Sequence, residues 1–133
     1  MSRILGIDSG TKRVGLAVSD GLGVLATPLD VVPRERVVDV VKSIAIEMDI
    51  AKIVIGLPTA LGGHEGVSAD EARTLGKDLH NATDLPVVYH DERFTSRMAE
   101  STLLGKGMKR RDRRQNVDKI AAAIILQDYL DNQ

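Results

Sequence analysis

Three acidic positions in this 133-residue sequence have surroundings suited to metal-assisted chemistry. Asp8 closes the apolar run Ile4-Leu5-Gly6-Ile7, just before the turn Ser9-Gly10-Thr11-Lys12. Asp91-Glu92 closes a second short apolar segment that starts at Pro86. Asp118 opens Val117-Asp118-Lys119-Ile120-Ala121-Ala122-Ala123-Ile124-Ile125-Leu126, a run apolar enough to imply a helix buried on most sides. In an open α/β sheet, ligands bind beyond the strand ends, so two strand-end acids and one on a packed helix could converge there. Carboxylates gathered without a cation repel and raise one another's pKa. With a cation they supply the hard oxygen ligands that suit Mg2+ or Mn2+. Two such ions about 4 Å apart stabilise both the attacking and the leaving oxygen of an in-line phosphoryl displacement. The chemistry indicated is therefore metal-assisted phosphoryl displacement.

Each acid also has a plainer reading. Asp8 could close an Asx turn. Asp91-Glu92 could be a strand terminus neutralised by Arg93, and Asp118 could favour a helix N-terminus through the macrodipole. The three taken together favour a shared site. Successive strand side chains point to opposite faces, so the choice between Asp91 and Glu92 stays open.

The elements that must hold these acids follow from periodicity and turn signals. Residues 3–8, 13–18 and about 24–32 read as three short strands, the last two joined by Asp20-Gly21-Leu22-Gly23. Pro33 opens a helix to about Asp49, with Val37, Val38, Val41, Ile44, Ala45 and Met48 on one stripe. Lys52 to Gly56 suits a buried strand, and Thr59 to Gly66 is a Gly-rich loop. Ser68 and Glu71 form a capping box for a helix to about Asn81. Pro86 to His90 is the next strand, and Thr95 or Ser96 caps a helix ending near Gly105 or Gly107. A basic loop follows, and Asn116 caps a last helix to about Leu130. A three-strand meander followed by alternating helix and strand predicts an α/β fold: a five-stranded mixed sheet flanked by helices, in one domain over residues 1–133.

Composition narrows the partners. There is no cysteine, so disulfides and zinc–thiolate sites are excluded. One Phe, two Tyr and no Trp leave little for base stacking. No signal peptide precedes the first strand and no apolar run is long enough to span a bilayer, so a cytoplasmic protein with no membrane partner is expected. The stretch from Arg93 to Lys119 holds nine Lys or Arg against three Asp or Glu, in a chain whose net charge is −1. Its densest part is Lys109, Arg110, Arg111, Arg113 and Arg114, which predicts a polyanionic partner. Lys12 and Arg13, beside Asp8, are further candidates for phosphate contact. His64 lies in the Gly-rich loop, whereas His80 and His90 read as structural or exposed.

Gly6-Ile7-Asp8-Ser9-Gly10-Thr11-Lys12-Arg13-Val14-Gly15-Leu16-Ala17-Val18-Ser19-Asp20 resembles the opening motif of the YqgF family, also called RuvX. Ile55-Gly56-Leu57-Pro58 resembles its fourth-strand motif. Asp91-Glu92-Arg93-Phe94-Thr95-Ser96 resembles its acidic motif, and Asp118 with Ala121, Ala122, Ile125 and Leu126 resembles its final helix. Phe94 and Ser96 stand where Leu and Thr are usual, and Ser9 where a bulkier residue is common. The resemblance implies an RNase H-like fold and a nuclease that processes pre-16S rRNA, related to the RuvC Holliday-junction resolvases. It implies metal-binding, catalytic acids at Asp8, Glu92 and Asp118, two Mg2+ or Mn2+ ions with substrate bound, and RNA in pre-ribosomal particles rather than DNA as partner. Lys12, Arg13, Arg93 and the basic cluster would then contact nucleic acid.

Three alternatives share these features. A DNA junction resolvase would need the same acids. A ribosome-assembly factor that binds RNA without turnover would keep the basic segment. The spacing Asp8-x-Gly10-Thr11 is also similar to the first phosphate loop of actin-like ATPases and sugar kinases, which use two such domains around one nucleotide.

Overall fold

A computed structural model describes residues 2–10, 12–57, 67–91 and 110–132, with the backbone alone at 67–68 and 110–117. Three apolar runs form an antiparallel meander: β1 (Arg3–Ser9), β2 (Arg13–Ser19) and β3 (Ala26–Pro33). A 3-10 turn, Arg34–Arg36, leads into α1 (Val37–Glu47). Then come β4 (Ile50–Leu57), α2 (Val67–Thr83), β5 (Val87–Asp91) and α3 (Arg110–Asp131). The sheet order is β3-β2-β1-β4-β5. β1 pairs antiparallel with β2 and parallel with β4, and β4 pairs parallel with β5. This is the mixed five-stranded sheet expected from the order of elements.

Strand alternation sorts the core into two layers. Leu5, Ile7, Val14, Leu16, Ile53 and Ile55 face α1 and α2, where Val37, Val41, Ala72, Leu75 and Leu79 are buried with them. Ala17 and Val54, flanked by Ile4 and Val88, face α3 through Ala122, Ile125 and Leu126. Helices on both faces explain why β1 and β4 read as nearly continuous apolar runs. Two helices stop at an aspartate in the left-handed region: Asp49 after α1 at φ 53° and Asp84 after α2 at φ 63°. Aspartate tolerates that region better than most side chains.

Several boundaries differ from expectation. Val24 and Leu25 belong to the β2–β3 turn, where their N–H groups donate to the Asp20 carboxylate at 2.8 and 3.3 Å. Those bonds hold the Asp20 carboxyl below its usual range although it is exposed. Leu22, Val24 and Leu25 are left facing solvent. Pro33 closes the edge strand β3 instead of opening a helix, a place where its missing N–H costs no ladder bond. The largest correction concerns the basic segment. Residues from Arg110 onward are helical, not a loop, and Asn116 lies inside α3. Arg and Gln are good helix formers, and no Gly or Pro interrupts the chain from residue 110 to 131. The expected helix near 95–107 and the Gly-rich loop Thr59–Gly66 lie outside the described residues.

Candidate functional site under the last helix

The site is set by one row of residues across the sheet. Asp8 on β1 pairs with Gly15 on β2, and Gly56 on β4 pairs with His90 on β5. Extending the β1–β4 register one step beyond Ile7↔Ile55 puts Asp8 beside Gly56. The row therefore reads Gly15, Asp8, Gly56, His90, and it faces α3. Asp8 is the penultimate residue of β1.

Gly15 brings α3 to this row. A Cβ built there would lie on the backbone carbonyl oxygen of Asp118, well inside van der Waals contact. One strand further along the helix, a Cβ at Gly6 would come within 2.7 Å of the Leu126 Cβ. Only glycine permits so close an approach of helix and strand. Asp118 thus sits next to the ladder neighbour of Asp8. It is eight residues past the first residue of α3, too deep for the helix N-terminus to account for it.

Arg13 starts β2 on the same face, and its Nε donates to the Asp118 Oδ2 at 2.9 Å. The Asp118 side chain is 24% exposed and that of Arg13 47%. Burial pushes the Asp118 carboxyl above its ordinary range, and the Arg13 guanidinium only partly offsets this. A cation beside Asp118 is what the local electrostatics demand, and Arg13 fills that position.

The other predicted residues divide as follows. Tyr89 donates to the Arg73 carbonyl on α2, whereas His90 meets Asp128 and the Tyr129 ring on α3. Alternation then assigns Asp91 to the α2 face, opposite the face of Asp8 and Asp118. Lys12 is exposed, with its carbonyl accepting from the Arg34 N–H. Arg110, Arg111, Arg113 and Arg114 occupy the first turns of α3, about 6–12 Å along the axis from Asp118. Glu92, Arg93, Lys109 and His64 lie outside the described residues. Among the described residues no three His, Asp or Glu side chains come together.

The donor set fits a hard divalent cation. Two carboxylates share one face, Gly15 and Gly56 beside Asp8 add no side chain, and a cationic group already seats on Asp118. Mg2+ and Mn2+ take few protein carboxylates and fill their shells with water and phosphate. Sequence reading missed Gly15 as a positioning residue. Its only signal was a lone glycine between Val14 and Leu16 in a strand-like run.

A five-stranded mixed sheet of this order, helices on both faces and carboxylates beneath the last helix define an RNase H-like domain. Two solved structures share the fold across nearly the whole chain. RuvC of T. thermophilus, solved in complex with a Holliday junction substrate, aligns at TM-score 0.62 and 16% identity over 99% of this chain and 95% of that one. The fowlpox virus Holliday junction resolvase aligns at TM-score 0.57 and 11% identity over 98% and 99%. The sequence model of the RuvX family, described as Holliday junction resolvase, matches residues 2–132, and the chain belongs to this family. Curated relatives carry the description "Putative pre-16S rRNA nuclease". The Sulfurihydrogenibium protein is 44% identical over 98% of this chain and 91% of its own length. The Porphyromonas gingivalis protein is 43% identical over 99% and 98%.

Proposed function

We propose that residues 1–133 act as a single-domain, metal-dependent nuclease that hydrolyses RNA phosphodiesters in the processing of pre-16S rRNA. The observation that carries this reading is the seating of Asp118 over Gly15, the ladder neighbour of Asp8. Asp8 and Asp118, with Glu92 as the third acid, would hold Mg2+ or Mn2+. Bound there, two ions would supply charge stabilisation for an in-line displacement by water. The protein's part is to fix the carboxylates on a rigid strand and a packed helix, and to hold the phosphate backbone with Lys12, Arg93, Lys109 and the arginines at the start of α3. The choice of RNA rests on the family's curated relatives. A cytoplasmic site of action is part of this proposal; among the described residues no helix is long and apolar enough to cross a membrane.

The test is cleavage of matched pre-16S rRNA, duplex DNA and four-way junction substrates with Mg2+ or Mn2+. Preferential cutting of the rRNA precursor is expected. Cutting of the junction alone would make the protein a DNA resolvase. Binding to RNA without turnover would make it an assembly factor.

A further inference from the structure

We propose that Arg13 is a built-in counter-ion for the metal site, holding Asp118 in the metal-free protein and being displaced from it when a divalent cation binds. The inference rests on the reading of Asp8 and Asp118 as metal ligands. It changes the role of Arg13, which the sequence offers as a candidate for phosphate contact.

The argument starts from the cost of a carboxylate at the sheet–helix boundary. Asp118 is mostly covered, and its position cannot relax, because its backbone carbonyl is wedged against Gly15. A partly buried, isolated carboxylate is unfavourable unless paired. Among the described residues, the ion pair that Asp118 makes is the one with Arg13, through Nε. Arg13 and Asp118 are separated by 105 residues in sequence, so the pair depends on the assembled fold. Arg13 also has somewhere to go. Its side chain is nearly half exposed, and it stands at the first residue of β2, next to the exposed Lys12.

A guanidinium and a divalent cation cannot share this carboxylate without repulsion. Charges of +1 and +2 about 6 Å apart in water change a binding constant by about tenfold. Arg13 therefore acts as a competitor that protects Asp118 when the site is empty of metal and weakens the affinity of the site for metal. An arginine that merely oriented Asp118 as a metal ligand would do the reverse, since removing an orienting partner weakens metal binding.

The test is Mn2+ titration of the full chain by calorimetry, with thermal unfolding in chelator and in Mn2+, for wild type, Arg13→Ala and Arg13→Lys. Arg13→Ala should bind Mn2+ about three- to tenfold more tightly, melt lower in chelator and gain more melting temperature from Mn2+ than wild type. Arg13→Lys, which keeps the charge, should stay close to wild type in affinity. Equal or weaker Mn2+ affinity in a folded Arg13→Ala protein would overturn the proposal and leave the metal reading standing. No Mn2+ binding in either protein would overturn the metal reading, and this proposal with it.

Discussion

Gly15, the ladder neighbour of Asp8, lies against the backbone carbonyl of Asp118 on the last helix. The contact leaves no room for even a methyl group, so it fixes the depth of α3 over the sheet as well as its position along β2. Replacing Gly15 with Ala should therefore lift α3 from the row that holds Asp8. The expected cost is about 2 kcal/mol or more from overpacking. Urea unfolding measures it, and cleavage should fall in the fraction that remains folded. A Gly15→Ala protein with wild-type stability would show that the helix can shift freely.

Asp8→Asn replaces a carboxylate by an amide of the same size. The fold should persist and cleavage with Mg2+ should drop by about 100-fold or more, since a metal site supplies several kcal/mol of transition-state stabilisation. A variant that cleaves at the wild-type rate would remove Asp8 from the mechanism.

Asp118 makes a pH-dependent contribution with a definite sign. Its carboxyl titrates above the ordinary carboxylate range in the folded protein, mainly because of burial. In metal-free solution the folded state therefore holds this proton more tightly than the unfolded chain does. Stability should fall as pH rises from the ordinary range through the raised value, and the penalty is fully present above it. Asp118→Asn abolishes that slope. It should melt as high as the wild type or a few degrees higher at pH 7 in chelator, with the gap closing toward pH 4. Added Mg2+ should reverse the order, because only the wild type gains from the ion. Thermal unfolding from pH 4 to 8, with and without Mg2+, measures both effects.

Nucleic-acid affinity should be carried by charge rather than stacking, given the scarcity of aromatics. Replacing Arg110, Arg111, Arg113 and Arg114 with Gln keeps good helix formers in α3 and removes four positive charges. RNA binding should weaken across all sequences, with the salt slope reduced by roughly one unit for each phosphate that is no longer neutralised. Unchanged slopes would move the substrate path to Lys12 and the Gly-rich loop.

Much of this arrangement was legible in the residues, for reasons that differ by element. The meander and the alternation that follows it were readable because Gly, Pro and Asp punctuate runs of Ile and Val. Asp8 and Asp118 were readable as candidates because each interrupts an apolar run. The start of α3 was not, because a dense positive charge suggests a solvated loop while the helix propensity of Arg favours the opposite. Arg13 could not be assigned its partner, since Asp118 is remote in sequence. Nor could Asp91 be given a face. That required Tyr89 on the α2 side and His90 on the α3 side, which only the assembled sheet reveals.

The distance along the chain between Arg13 and Asp118 also has a meaning in time. After adding Arg13, a ribosome must add 105 more residues to supply its partner. At about 5–20 residues per second this takes roughly 5–20 s. Throughout that interval the growing polypeptide has Asp8 but not the helix that carries Asp118. The Arg13–Asp118 pair, and with it the seating of Asp118 over Gly15, can therefore form only once the final helix has been synthesised.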